Sequence, residues 1–363
     1  MVVLLLGLIM AADPAGQIAF VSGTNPEEHC VCVMDVASGS VTRIGPGTCD
    51  GAPAWSPDGQ WLAFESKSGE GTGIRVARAD GSESRTLTHQ YAWNRYPRWA
   101  ADNQRLVYSS AADSVLEHYA VVYDLASNTE SVWNGGKAGV LRPVWLPNLG
   151  LMKALNPDEG FSWEGVDTQK FIVEAWQYGG IIAMGLSGEP GKYSTEPLLL
   201  TPSQAAPLLQ LLTKDSLRYA DWAMESSPKG DRLAFESNDG GDRELYVISK
   251  RGIADVTNHR AADWNPVWSP DGKWIAFESF RGSRRGVYRV FPDNARIFPV
   301  ACSEAYDCWS PAWSPDGEWI VCVSDQGGSA DLYLYPVESG EHRVLLTQPG
   351  NKYAPAWRPR EKS

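Results

Sequence analysis

The chain has 363 residues, 43% of them hydrophobic and 11% aromatic, so it is long enough to bury a large core. Its formal net charge of −12 repels phosphate backbones and excludes nucleic acid as an expected partner. Short apolar runs alternate with clusters of Gly, Pro, Asp and Ser, which is typical of an all-β protein.

Residues 1–12 form an apolar stretch that ends in small residues, as in the remnant of a signal peptide. The stretch lacks the basic residues that usually precede such a segment, so a buried first strand stays open as the alternative. No other segment approaches the ~18 apolar residues that a membrane span requires. We therefore expect a periplasmic or extracellular protein that is at most peripheral to a membrane.

The six cysteines suit an exported protein, because disulfides persist in oxidising compartments. Cys302 and Cys308 flank a polar loop, and Cys30 and Cys49 flank a predicted hairpin, so a disulfide is expected from each pair. A tight turn at residues 37–40 would place residue 30 near residue 47. The other two cysteines lie in apolar strands and are predicted to be buried free thiols.

A heptapeptide of the form Pro-x-Trp-Ser-Pro-Asp-Gly recurs along the chain, complete at residues 53–59, 266–272 and 311–317. Weaker copies fill much of the remaining length. With Trp as the marker, and Ser226 in its place once, the markers fall at positions 55, 99, 145, 226, 268, 313 and 357. The steps are 42–46 residues long except for one of 81, and four short strands in ~40–45 residues form a propeller blade.

The two ends of the chain are predicted to complete one blade together. Residues 17–45 provide second, third and fourth strands without a first, whereas residues 353–358 provide a first strand alone. Joined, they form a split blade that closes the ring and removes exposed sheet edges. The expected fold is thus an all-β propeller of four-stranded antiparallel blades in a single domain, residues 13–363.

The 81-residue step marks an irregular or inserted blade at about residues 150–218. Residues 197–213 resemble third and fourth strands around a turn, which leaves about residues 156–194 as inserted chain. Seven blades is the preferred count, with eight and six as the alternatives.

These repeats resemble the TolB-like, or WD40-like, β-propeller family, whose blades carry Pro-x-Trp-Ser-Pro-Asp-Gly-x-x-Ile-Ala-Phe. The match covers residues 17–149 and 219–360. The resemblance implies extracytoplasmic proteins that dock peptides and proteins, and it extends to the propeller domains of certain serine peptidases and to propeller lyases.

No catalytic constellation is found in the sequence. A Gly-x-Ser-x-Gly elbow is missing, and the five histidines are scattered over different units. We expect a non-catalytic protein without a cofactor. Asp239, Asp242 and Glu244 are weak candidates for Ca²⁺, against the alternative of a solvated hairpin loop.

The candidate binding surface precedes the first strand of each unit. Four residues before the marker, successive units carry an aromatic residue, and an earlier unit carries arginine. The predicted site residues are Trp222, Trp264, Trp309, Tyr353 and Arg95, with the neighbouring carboxylates Asp221, Asp263 and Asp307. Exposed rings beside carboxylates suit a peptide, a cationic side chain or a sugar face. The alternative is that the rings pack between blades.

Three functions remain open from the sequence. The preferred one is an exported propeller that binds a protein or peptide partner at the channel mouth. The second is a propeller that binds or cleaves carbohydrate, with a glycan as the partner. The third is a structural subunit of an envelope or extracellular assembly, with the irregular unit as its docking element.

Overall fold

The computed structural model places most of the described part of the chain in β-strands. The one helical element in that part is a 3₁₀ turn at Pro26–Glu28, and no helix there is long and apolar enough to cross a membrane. The described residues are 14–87, 89, 91–100, 102–112, 118–133, 140–146, 170–175, 180–187, 194–198, 222–229, 231–237, 242–249, 252–338, 342–346 and 350–360.

The strands form four-stranded antiparallel units, two of which are joined into one sheet. In chain order the strands are β1 (Gln17–Gly23), β2 (Cys30–Asp35), β3 (Val41–Arg43), β4 (Ala54–Trp55), β5 (Trp61–Ser68), β6 (Gly71–Arg78), β7 (Arg85–Thr86), β8 (Trp93–Trp99), β9 (Arg105–Ala111), β10 (His118–Asp124), β11 (Thr129–Trp133), β12 (Val140–Leu146), β13 (Lys170–Ala175), β14 (Gly180–Ser187), β15 (Ser194–Leu198), β16 (Trp222–Ser226), β17 (Arg232–Ser237), β18 (Glu244–Ser249), β19 (Gly252–Asp255), β20 (Asp263–Trp268), β21 (Ile275–Ser279), β22 (Gly286–Phe291), β23 (Arg296–Ala301), β24 (Cys308–Trp313), β25 (Trp319–Ser324), β26 (Asp331–Pro336), β27 (Arg343–Leu346) and β28 (Asn351–Trp357). The sheets run β28-β1-β2-β3, β4 to β11, β12 to β15, β16 to β19, β20 to β23 and β24 to β27. One parallel bridge, from Thr72 to Trp93, joins β6 to β8 within the larger sheet.

The first strands of these units lie side by side in an inner ring. β4 contacts β8, and contacts continue in chain order through β12, β16, β20 and β24 to β28, which contacts β4 in turn. The ring is closed by pairing of β28 with β1, where Ile18 lies opposite Trp357 and Ser22 lies opposite Lys352. The propeller fold and the split blade are thereby confirmed. The number of blades stays the prediction made from the markers.

The irregular unit differs from its predicted layout. β12 to β15 form one antiparallel sheet in chain order, and its last three strands lie within residues 170–198, so the prediction that about residues 156–194 are inserted chain is wrong from residue 170 onward. The pairing of β14 with β15, in which Ser187 lies opposite Ser194, accounts for the difference, because it places two strands of the sheet where inserted chain was expected. The predicted strands at residues 199–213 lie outside the described residues.

The marker tryptophans join neighbouring four-stranded units. The indole Nε1 of Trp55, Trp99, Trp268 and Trp313 donates to a main-chain carbonyl at 2.9–3.0 Å. The acceptors are Ala356, Ala54, Glu225 and Val267, each of them directly before the marker position of the preceding unit. The four rings are buried, so the markers pack between sheets and are not available to a ligand.

The Ser-Pro-Asp-Gly turns satisfy their own polar groups. Ser269 Oγ donates to Asp271 Oδ1 at 2.7 Å and accepts the amide N–H of Trp274 at 2.9 Å. Gly272 has a φ of +70°, which glycine adopts without strain. Because successive strands are antiparallel, these turns lie opposite the loops that join second to third strands and fourth strands to the next sheet. We call the side that carries those loops the loop face.

Candidate functional site

A bulge interrupts the first strand just before its proline. In β20 the pairing register shifts between Trp264 and Val267, and Asn265 inside the bulge has a φ of +55°. Ser310 occupies the same position in β24, with a φ of +52°. A left-handed conformation costs on the order of 1 kcal/mol for a non-glycine residue, and the bulge removes its amide from the regular ladder.

Glutamates of the preceding four-stranded units accept these amides. Each acceptor belongs to a Phe-Glu-Ser sequence at the end of a second strand, on the loop-face side. The pairs are Tyr96 to Glu65, Asn265 to Glu236 and Ser310 to Glu278, with N···O distances of 2.9, 2.5 and 2.9 Å. Since the side chains of Glu236 and Glu278 are both 1% exposed, the bonds join neighbouring sheets in the interior.

Arg285 completes the surroundings of Glu278. Its Nε donates to Glu278 Oε2 at 2.5 Å, its Nη2 contacts the same oxygen, and Asn265 Nδ2 donates to Oε1 at 2.7 Å. The guanidinium lies 5.4 Å from the ring centre of Trp264 and 5.6 Å from that of Trp309. We call these five residues the Trp264–Trp309 cleft. Its cationic position is already filled by an arginine of the chain itself.

The cleft continues onto an exposed aromatic side chain. Phe280 is 52% exposed, and its ring centre lies 5.3 Å from that of Trp264. Phe280 begins the loop from β21 to β22, and Arg285 ends it, so both lie on the loop face. Asp307 flanks this loop: its Oδ1 accepts the amide of Arg285 at 3.1 Å, and its Oδ2 lies 3.8 Å from Nη1 of Arg284. The arrangement offers a ligand apolar ring surface bordered by a guanidinium.

Asp263 lies beside Trp264 in the sequence but on the other face of the strand, because successive side chains of a strand alternate. It is fully buried, and its Oδ2 accepts a hydrogen bond from Arg281 Nη2 at 2.6 Å. The corresponding residues of other units are buried as well: Asp50, Asn94, Cys308 and Lys352. The structure therefore does not bring Asp263 to the exposed rings.

Asp263 instead faces a second buried carboxyl group, that of Glu244 in the preceding sheet. Thr257 Oγ1 donates to Glu244 Oε2 at 2.5 Å, and the amide of His259 donates to Oε1 at 2.8 Å. Burial raises the pKa of Glu244 to about 7, and the charges of Asp263 and Asp255 act in the same direction. Burial also raises the pKa of Asp263, although Ser279 and Arg281 oppose it.

These contacts bear on the Ca²⁺ candidates. Glu244 is turned inward and bound within the protein, Asp242 is exposed on the loop before it, and Asp239 lies outside the described residues. Among the described residues, no group of three or more His, Cys, Asp or Glu is arranged to hold a metal ion. Calcium binding stays a prediction.

Tyr353 and Arg95 have their ring and cation contacts outside the cleft. Tyr353 is partly exposed, and its ring centre lies 5.1 Å from that of His29. Arg95 lies over the ring of a tryptophan in its own strand. Trp222 begins β16 and is described by its backbone alone, and Asp221 lies outside the described residues. The structure thus brings two of the predicted aromatic residues, Trp264 and Trp309, into one site.

His89 takes part in a buried network and is not a ligand on the loop face. Its Nε2 accepts the amide N–H of Ile74 at 2.9 Å, so the neutral ring carries its proton on Nδ1, which lies 3.0 Å from the Tyr108 hydroxyl. That hydroxyl donates to Glu130 at 2.6 Å. Burial and the Glu130 charge raise the pKa of Tyr108. The network links three strands and holds no open position.

The predicted disulfides are not formed, and all six cysteines are free. In the first hairpin Met34 lies opposite Val41, which places Cys30 beside Gly45 and not beside residue 47. Cys30 Sγ donates to Gly45 O at 3.4 Å, so its buried thiol is bonded to the main chain of the hairpin, whereas Cys49 is partly exposed. The register of the turn is the physical reason for this error.

The second predicted disulfide, between Cys302 and Cys308, fails for a different reason. Cys308 is fully buried at the start of β24, where its Sγ lies 3.6 Å from the Tyr335 hydroxyl. Cys302 is exposed, and its thiol bonds to Val287 O at 3.5 Å. The two side chains therefore lie in different surroundings. Cys32 and Cys322 are buried free thiols, as predicted.

Three residues of the cleft, Glu278, Arg285 and Asn265, were missed in the sequence, and so was Phe280 beside it. The sequence did carry a signal for Glu278 and Arg285. Phe-Glu-Ser recurs in three units, and in two of these units an arginine follows the glutamate by seven residues. Phe280 has no counterpart in the other units and carries no such signal.

No family model matches the chain, and no curated protein matches it. Solved structures do. TolB from Acinetobacter baumannii is similar at a TM-score of 0.55 and 16% identity, over 96% of this chain and 68% of that one. The propeller domain of the Trilobed protease from Pyrococcus furiosus, titled as having an open velcro topology, gives 0.60 and 14% identity, over 93% and 94%.

A third similar structure is an acylaminoacyl peptidase in complex with a chloromethyl ketone, at a TM-score of 0.57 and 14% identity, over 92% of this chain and 51% of that one. At such identities the likeness shows the fold alone. The TolB-like propeller fold predicted from the repeat is therefore confirmed, while the family itself stays a resemblance. In contrast to the open topology named above, the ring of this chain is closed by β28 and β1.

Proposed function

We propose that this chain is an exported binding propeller that docks a protein or peptide on its loop face, at the Trp264–Trp309 cleft. The observation that carries the proposal is Phe280, a large apolar side chain that is 52% exposed while it lies against Trp264. Aromatic and arginine side chains dominate the energetics of protein interfaces, and the cleft combines both.

The physical logic is preorganisation. Arg285 is held by Glu278 and lies between two tryptophans, so its position is fixed before a partner arrives. A rigid site loses little conformational entropy on binding, and a ring surface bordered by a guanidinium suits a peptide with apolar and polar side chains in alternation. The resemblance to TolB-like repeats points to the same class of partner.

The test is affinity capture from the native envelope with the Phe280→Ala variant. A matched control is Val344→Ala, because Val344 is 50% exposed on β27. We expect the Phe280→Ala variant to capture at least tenfold less partner than the parent, since truncation of a hot-spot residue costs roughly 2 kcal/mol or more of binding free energy. Equal capture by both variants would contradict the proposal. Hydrolysis of the captured partner by the intact chain would replace the binding role with a catalytic one.

Export is a separate part of the proposal and rests on the apolar N-terminal stretch. Its test is the mass of the protein recovered from the envelope fraction. We expect the first residues of the chain to be absent from that protein, and an intact N-terminus in the cytoplasmic fraction would contradict export.

A further inference from the structure

Two buried carboxyl groups lie beside the exposed rings of the cleft. Asp263 directly precedes Trp264 in β20, and its side chain is close enough to that of Glu244 for the two carboxyl groups to hydrogen-bond. Asp263 Oδ2 accepts from Arg281 Nη2 at 2.6 Å, whereas its buried Oδ1 has no hydrogen-bond partner among the described residues. Because a carboxylate only accepts, Glu244 can serve Oδ1 only when it carries a proton. One bound proton also balances the charges of the three side chains.

The corresponding pair of side chains at the closing junction has a cation in place of that proton. Lys352 occupies the position of Asp263, five residues before the marker, and Asp331 occupies that of Glu244 at the start of a third strand. Lys352 and Asp263 each donate their amide at 2.7 Å to the carbonyl directly before that acidic residue, so the two junctions share one backbone arrangement. Lys352 Nζ lies 3.3 Å from Asp331 Oδ1. The Glu244–Asp263 junction thus has two acids where the closing junction has an acid and a base.

The contacts of Asp263 fix the chain on both sides of Phe280. Ser279 lies opposite Asp263 in the sheet, and its Oγ accepts the amide and Nε of Arg281 at 3.0 and 3.1 Å. Arg281 in turn reaches Asp263, so Phe280 stands between two residues that contact this carboxyl group. The ring of Phe280 packs against Trp264, which follows Asp263 directly. A change at the carboxyl pair is therefore transmitted to both rings.

We propose that Glu244 and Asp263 share one proton, and that its loss to water moves Phe280 and weakens docking at the Trp264–Trp309 cleft. The inference rests on the docking role proposed above and names its regulation. With the proton bound, each oxygen of Asp263 has a donor, and Arg281 stays in place. Without it, two adjacent carboxylates repel each other in the interior, and Arg281 shifts to neutralise both. Docking is strong at acidic pH and declines as the pH rises.

Other titratable and charged groups surround the pair: Asp255, Arg243, His259, Tyr288 and Cys302. Burial raises the pKa of Glu244 to about 7, and the charge of Asp255 acts in the same direction. Arg243 is bonded to Glu236. Desolvation raises the pKa of Tyr288 and of Cys302 above their ordinary values of 10.0 and 9.0, so both stay neutral up to pH 8. His259 needs a control, because histidine is the side chain that ordinarily titrates in this range.

The first experiment follows the ring of Phe280 without a partner. 4-Fluorophenylalanine replaces Phe280 in the full chain, and its fluorine NMR resonance is recorded from pH 5 to pH 8 with a chelator present, so that no metal ion replaces the proton. We expect the resonance to shift with a midpoint at about 7. In Glu244→Gln we expect no shift, because an amide donates its N–H at every pH. A resonance that does not titrate in the parent overturns the inference, and so does loss of the titration in His259→Asn.

The second experiment measures docking itself, by capture of the partner from the native envelope at pH 6 and pH 8. Because titration of the partner affects both proteins equally, the measured quantity is the ratio of capture by the parent to capture by Glu244→Gln. We expect this ratio to fall about fivefold or more between the two pH values, the lower end of the coupling between linked sites. An unchanged ratio overturns the inference and leaves docking intact. Equal capture by Phe280→Ala and the parent at pH 6 overturns the docking role and this inference with it.

Discussion

Glu278 and Ser310 join two neighbouring sheets through one hydrogen bond, from the amide of Ser310 to Oε1 of Glu278 at 2.9 Å. The bond spans 32 residues of sequence and holds a backbone amide in a left-handed conformation against the interior. The same carboxylate also bonds Arg285 and Asn265. A single buried side chain therefore organises both the contact between the sheets and the aromatic cleft on the loop face.

Replacement of Glu278 by glutamine is the first prediction. The amide oxygen of glutamine can still accept the Ser310 amide, but the charge that holds Arg285 between the tryptophans is lost. We expect Glu278→Gln to lower the free energy of unfolding by about 1–3 kcal/mol, the cost of a lost buried charged acceptor. Chemical denaturation measures it, with the exposed Glu304→Gln as the control. Equal denaturation midpoints for the two variants would show that the charge of Glu278 does not stabilise the protein.

The second prediction concerns the indole of a marker tryptophan. Trp313 Nε1 donates to Val267 O at 3.0 Å, whereas the buried Nε1 of Trp357 has no partner among the described residues. Both rings are nearly buried, so replacement by phenylalanine removes similar volumes and only one hydrogen bond. We expect Trp313→Phe to destabilise the protein by about 1 kcal/mol more than Trp357→Phe. Thermal unfolding of the two variants checks this, and the reverse order would contradict the role of the bond.

The fold could be predicted from the repeat, because the turn residues and the tryptophan of each copy have fixed structural roles. Gly272 must adopt a positive φ, and Trp268 must reach the carbonyl of Glu225, so neither position tolerates much change. The spacing therefore located the first strands and the split blade. The irregular unit lacks these constraints, and there the predicted strand positions were wrong.

The candidate site was predictable only in part, since adjacent residues of a strand face opposite sides. Trp264 and Asp263 are adjacent in the sequence, yet Trp264 lies against the exposed Phe280, whereas Asp263 is buried beside Glu244 of the preceding sheet. Which of the two side chains is buried depends on how β20 packs against its neighbours, and the sequence does not give that packing. Phe280 lies in a loop whose length and path follow no periodic rule, so its contact with Trp264 appears only in three dimensions.

The third prediction is a dependence of stability on pH. The pKa of Glu244 is about 7 in the folded protein, above its ordinary value of 4.5, so the folded state binds a proton that the unfolded state has released. The stabilisation is fully present below pH 4.5 and is lost as the pH rises through about 7. The slope is at most about 1.4 kcal/mol per pH unit for one proton.

Glu244→Gln tests this dependence, because glutamine does not titrate and keeps an acceptor for Thr257. We expect the variant to lose less stability than the parent between pH 5 and pH 8. Asp80→Asn is a suitable control, since Asp80 is exposed on the opposite side and its pKa is lowered by Ser82. Identical pH profiles for the parent and Glu244→Gln would show that another group is responsible.

The fourth prediction concerns the reactivity of the thiols. Cys302 is exposed and Cys49 is partly exposed, whereas Cys30, Cys308 and Cys322 are buried. Since alkylation requires access to the thiolate, we expect Cys302 to react first in the native protein and the buried thiols only after unfolding. Although the residue is exposed, its sulfur lies against the carbonyl oxygen of Val287, and partial desolvation there raises the pKa of the Cys302 thiol, so its reaction should accelerate as the pH rises.

Peptide mapping of the alkylated protein without a reducing agent measures this order. Cys302→Ser is the matched control, because it removes the fastest site and should leave the free energy of unfolding unchanged within about 0.5 kcal/mol. A disulfide between Cys302 and Cys308 would protect both residues from alkylation until reduction, and its removal would cost stability. The prediction is contradicted if Cys302 is protected from alkylation in the native protein and Cys302→Ser is destabilised. That result would mean that Cys302 and Cys308 form a disulfide after all.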